Sequence, residues 1–87
     1  MNLNHKQQEL IEELFNNVKE KYPEIVFKNL QNSPEDPSDI WINIIADMDE
    51  DREIELRHFS ANLENKIFME YGYDIYIMPE NPNAVYN

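Results

Sequence analysis

The densest group of potential ligands in the chain is the run Asp47-Met48-Asp49-Glu50-Asp51. Oxygen ligands at the first, third and fifth positions open a calcium-binding EF-hand loop, and Ile54 falls on the apolar eighth position of such a loop. The pattern then departs. Arg52 stands where glycine must make the sharp turn, and His58 stands where a bidentate glutamate must close the site. The same acids suit the start of a helix, with Asp49 or Asp51 as the cap and Glu50, Glu53 and Glu55 near the positive end of the helix dipole. Asp47, Asp49 and Asp51 are therefore only weak metal candidates, and neither a dedicated metal site nor a cofactor is expected.

Other familiar chemistries lack their residues. A single glycine, Gly72, excludes Walker and dinucleotide-binding loops, which need several glycines for close backbone approach to phosphate. The absence of cysteine excludes disulfides, thiolate zinc sites and iron–sulfur centres. His5 and His58 are far apart and lack the paired helical spacing of zinc ligands. Ser60 lies two positions after His58, so on a helix the two side chains diverge. Lys28 and Lys66 have no activating neighbours in sequence. No catalytic residue is assigned, and the chain reads as a non-enzyme.

The elements that must position any site follow from periodicity. Leu10, Ile11, Leu14, Phe15, Val18 and Tyr22 form one apolar stripe and predict a helix over His5–Tyr22, ended by Pro23. A strand is expected over Glu24–Leu30, and the turn-rich segment Gln31–Asp39 reads as a loop. Alternation over Ile40–Ala46 predicts a strand with Ile40, Ile42, Ile44 and Ala46 on one face and Trp41, Asn43 and Ile45 on the other. A second helix is expected over Asp51–Tyr71, with Leu56, Phe59, Leu63, Ile67 and Tyr71 inward and Ile54, Ala61 and Phe68 beside them. Gly72 suits a left-handed helix end. A last strand spans Tyr73–Met78, with Pro79 and Pro82 ending regular structure. The order is α-β-β-α-β. It predicts an α+β two-layer sandwich, a three-stranded mixed sheet with both helices on one face, and a parallel pairing of the second and third strands. A single domain over residues 1–80 and a loose tail over 81–87 complete the reading.

Eighty-seven residues allow one modest core. The net charge of −11 repels phosphate backbones and anionic lipid, so neither nucleic-acid nor membrane partners are expected. Acidity of this order suits solubility, a basic protein partner, or mimicry of a nucleic acid to inhibit a basic protein. Polar residues over Met1–Leu10 where a signal peptide needs an apolar stretch, together with the missing cysteines, point to the cytoplasm.

The order of elements and one stretch resemble a minimal nucleotidyltransferase domain. Asn32-Ser33 stands at the place of that family's Gly-Ser, and Ser38-Asp39-Ile40-Trp41 at its Asp-x-Asp. Only Ser33 and Asp39 match. With Trp41 in place of the second carboxylate, the resemblance implies a degenerate, inactive site, since two metals need converging acids. An enzyme reading of the acids would instead use Asp39, Asp47 and Asp49 as a remnant phosphoryl or nucleotidyl site.

The remaining candidate is a surface. If both helices cover one side of the sheet, the other side carries Trp41, Asn43 and Ile45, then Asp74, Tyr76 and Met78, with Val26, Lys28 and Leu30 from the first strand. Tryptophan and tyrosine among aliphatic and polar groups match the make-up of protein interfaces. The expected partner-binding residues are Trp41, Asn43, Ile45, Tyr76 and Met78. The expected function is a non-catalytic interaction module with a protein partner, either a second copy in a homodimer or a basic protein.

Overall fold

The structure is a computed structural model, described here over residues 1–83. Helix α1 (His5–Lys21) and strands β1 (Val26–Asn32) and β2 (Ile40–Ile45) are followed by helix α2 (Glu50–Tyr71) and strand β3 (Ile75–Glu80). The sheet order is β1-β2-β3, with β1 antiparallel and β3 parallel to the central β2. This is the expected α+β sandwich.

Each helix is fixed at its ends by local chemistry. Asn4 caps α1 by accepting from the Gln7 amide at 2.7 Å, while the Gln7 side chain accepts from the Asn4 amide at 3.0 Å. This reciprocal box satisfies two of the amide donors that a helix start leaves unpaired. At the other end, Lys19 donates to the carbonyls of Pro23 and Ile25, which ties the chain as it leaves the helix. Asp49 caps α2 by accepting from the Arg52 amide at 2.8 Å, and Gly72 ends it with φ 75°, a left-handed conformation that costs glycine little.

One apolar cluster joins Leu10, Ile11, Leu14, Val18 and Tyr22 of the first segment to Ile40, Ile42 and Ile44 of β2, Leu56 of α2, and Ile75 and Ile77 of β3. Phe59, Leu63 and Ile67 pack against it while partly exposed. Tyr71, expected inward, is 43% exposed, and Phe68 and Ile54 are also exposed. Tyr22 is fully buried, with the Phe59 ring edge-on at 5.9 Å and the Arg52 guanidinium 4.7 Å from its own ring centroid. Arg52 also pairs with Glu24, so the start of α2 is fastened to the turn after α1.

Other features also depart from the sequence expectations; β1 ends at Asn32, so Gln31 and Asn32, expected in the loop, belong to the strand. Pro79 does not end β3, which continues to Glu80. β3 is an edge strand, and the register places Pro79 where its missing amide proton would face outward, so the ladder to β2 loses nothing. In β1 the register shifts between Phe27 and Asn29, which leaves Lys28 as an unpaired bulge residue. The extra residue reverses the alternation beyond it. Leu30, expected on the open face, instead pairs with Ile42 and packs against the core. The tail expected from residue 81 begins with a buried residue, Asn81, whose amide donates to the Met48 carbonyl at 2.7 Å. Positions 84–87 of that expected tail lie outside the described residues.

Candidate functional site

The face of the sheet opposite the helices is built from three rows that the register sets across the strands. Gln31, Trp41 and Tyr76 form one row; Asn29, Asn43 and Met78 form the next; Val26, Ile45 and Glu80 form the third. Trp41, Asn43, Ile45, Tyr76 and Met78 are therefore neighbours on one surface. All five are partly exposed, whereas Ile40, Ile42 and Ile44 behind them are buried. The cause is the two-residue period of an extended chain, which sends alternate side chains of β2 into the core and out of it.

Polar groups hold this surface in place. The Asn43 amide donates to Asn29 Oδ1 at 2.8 Å and to Gln31 Oε1 at 2.7 Å, bridging two rows. Lys28 reaches across β2 to pair with both carboxylate oxygens of Glu80, at 2.9 and 3.1 Å. The bulge makes this bridge possible, because Lys28 and Asn29 both reach groups of the same face. Trp41 and Tyr76 are thus framed by fixed amides and a neutralised ion pair.

Beyond the first row lies a small acidic group. Tyr76 donates its hydroxyl to Asp74 Oδ1 at 3.1 Å, and Asp39 lies beside Asp74. Desolvation, and then the charges of Asp36 and Asp74, raise the Asp39 carboxyl above the usual carboxylate range. Burial, followed by the bond to Asp74, likewise raises the Tyr76 phenol.

Asp47 and Asp49 do not come together with Asp39. The six extended residues of β2 separate Asp39 from Asp47 and Asp49 by roughly 20 Å. Asp49 is committed to capping α2, and Asp47 accepts from the Asn83 amide. Asp39 thus stands at one end of β2, and Asp47 and Asp49 stand beyond the other. Among the described residues, no group of three or more His, Asp or Glu side chains is arranged to hold a metal ion. Among the described residues, no helix is long and apolar enough to cross a membrane.

Sequence reasoning missed a cleft on the far edge of the sheet, where α2 runs alongside β3. Phe68, Asn65 and Glu64 form one wall, and Tyr73, Asp74 and Tyr76 form the other, around a space of about 520 Å³. Glu64 reaches across its inner end to accept from the Ile77 amide at 2.8 Å. The one available signal was Phe68, an aromatic residue off the main stripe of α2.

No family model, curated protein or solved structure matches this chain.

Proposed function

We propose that this chain is a non-catalytic interaction module that binds a second protein surface through the open face of its sheet, first of all that of another copy. The carrying observation is Trp41 beside Tyr76, both partly exposed, at the first row of the sheet face opposite the buried isoleucines of β2. Indole and phenol rings combine apolar area with a polar edge and lose little freedom on docking, which is why they anchor interfaces. The charges within the face, Lys28 and Glu80, cancel, and the uncompensated pair Asp39 and Asp74 lies at its edge beyond Tyr76. Three strands about 4.8 Å apart and six residues long offer about 300 Å², well below the ~800 Å² per partner of a standard interface. The association is therefore weak and reversible.

Trp41 is the only tryptophan, so its emission reports on this face alone. With rising concentration, sedimentation should show the average mass climbing above the 10.5 kDa monomer while the emission shifts to the blue. Trp41→Glu should remain monomeric at the same concentrations. A native chain that stays monomeric up to millimolar concentration would end the self-association reading.

A further inference from the structure

The cleft between α2 and the outer edge of β3 shares Tyr76 with the open face but is otherwise built from residues that the open-face reading does not use. Its walls carry three aromatic rings, Phe68, Tyr73 and Tyr76, and two carboxylates, Glu64 and Asp74. Phe68 is 48% exposed, although its ring stands against a space large enough for a side chain of another molecule. Cavities of roughly 300–1,000 Å³ with apolar walls and a few polar groups are ordinary binding sites. Aromatic faces with carboxylates between them select for organic cations, because ring quadrupoles and negative charge both attract them.

The rest of the molecule supplies no such cation to this cleft. Of the seven basic side chains, Lys6, Lys28, Arg52 and Arg57 are ion-paired. Lys19 is spent on two carbonyls, and Lys21 lies over the Phe59 ring at 4.6 Å. Lys66 lines a different groove, between the two helices. Only Glu9, Glu24, Glu53 and Glu80 of the eighteen acids take part in ion pairs among the described residues. Asp39 and Asp74 stand side by side without a counter-charge, and their repulsion contributes to the raised Asp39 carboxyl. A cation seated beside Asp74 would relieve it.

We propose that the α2–β3 cleft receives an arginine side chain from a basic segment of a partner protein, with the guanidinium on Asp74 and its stem against Phe68 and Tyr73. A planar guanidinium stacks on aromatic rings and pairs with carboxylates in one geometry, which an ammonium cannot do as well. The surrounding unpaired acids favour a basic protein segment over a free small cation, since flanking positive residues gain from the same field.

The test is a titration followed by backbone amide shifts, using a capped peptide Lys-Thr-Arg-Thr-Lys and the same peptide with glutamine at its centre. Saturable shifts at Asn65, Phe68, Ile75 and Tyr76 are expected, about tenfold weaker with the glutamine peptide, a ratio worth about 1.4 kcal/mol. Asp74→Asn and Phe68→Ala, both at the surface, should each weaken binding several-fold, while Glu20→Gln on the outer side of α1 should not. The proposal is overturned by equal losses for Asp74→Asn and Glu20→Gln, by shifts spread over α1, or by no shift at millimolar peptide. N-acetylarginine amide binding as tightly as the peptide would also overturn it, by assigning the cleft to a small molecule.

Discussion

Replacing Glu64 with alanine removes the acceptor of the Ile77 amide, which lies 2.8 Å from Glu64 Oε2 on a strand edge where Ile77 itself is 5% exposed. Glutamine keeps an acceptor in the same place and drops the charge, so the two variants separate hydrogen bonding from electrostatics. A buried amide left unpaired costs about 1–3 kcal/mol, and water entering the open cleft recovers part of that cost. Glu64→Ala is expected to be about 1–2 kcal/mol less stable than Glu64→Gln, or roughly 5–10 °C in Tm for a chain this size. The comparison with the native chain depends on pH. Burial raises the Glu64 carboxyl above its ordinary range, opposed by the Ile77 amide and the Ser60 hydroxyl. The folded chain therefore binds this proton more tightly than the unfolded one. The group's contribution to stability is fully present below the ordinary glutamate pKa and is lost as pH rises through the raised, folded value. Glu64→Gln should then be at least as stable as the native chain at pH 7, with any advantage shrinking on acidification. Urea unfolding at pH 7 and pH 5, together with hydrogen exchange at Ile77, measures both effects. Equal stability of the alanine and glutamine variants, with unchanged exchange at Ile77, would refute the reasoning.

Two further outcomes follow from the acids around the start of α2. Asp49→Ala removes the cap that accepts from the Arg52 amide and should cost about 1 kcal/mol in urea unfolding, whereas Asp51→Ala, inside the first turn, should cost less. Because Asp39 stands at the opposite end of β2 from Asp47 and Asp49, calorimetry with magnesium, manganese or calcium should show no saturable site in which all three take part. Saturable binding lost in both Asp39→Asn and Asp47→Asn would contradict that placement.

Periodicity made the elements legible because each helix and strand here answers mainly to its own apolar pattern. It also placed Trp41, Asn43, Ile45, Tyr76 and Met78 on one surface, since alternation within β2 and β3 is unbroken. The neighbours of those residues on β1 were not legible. The bulge at Lys28 depends on how β1 pairs with β2, and nothing in Val26–Asn32 read alone reverses the alternation that would put Leu30 outside. Pro79 misled for a related reason: a proline ends a central strand but not an edge strand, and edge position is a tertiary fact. The cleft was invisible because its two walls belong to different elements, and Phe68 was assigned to the flank of a core stripe that tertiary packing leaves half open.

The two candidate surfaces share Tyr76 but can be separated by salt, because the contacts of one are mainly uncharged and those of the other rest on Asp74. Self-association through Trp41 and Tyr76 brings together two chains of net charge −11, while the contacting face contributes the cancelled pair Lys28–Glu80. Long-range repulsion between the chains falls as added salt shortens the screening length, from ~30 Å at 0.01 M to ~8 Å at 0.15 M. Association through this face should therefore tighten with salt. Arginine binding in the cleft draws on Asp74 and the acids around it, so the same screening should weaken it. Measuring both over one salt series, Trp41 emission for the face and the Phe68 amide for the cleft, predicts slopes of opposite sign. Slopes of the same sign would mean that the charge of the whole chain, rather than either arrangement of side chains, governs what it binds.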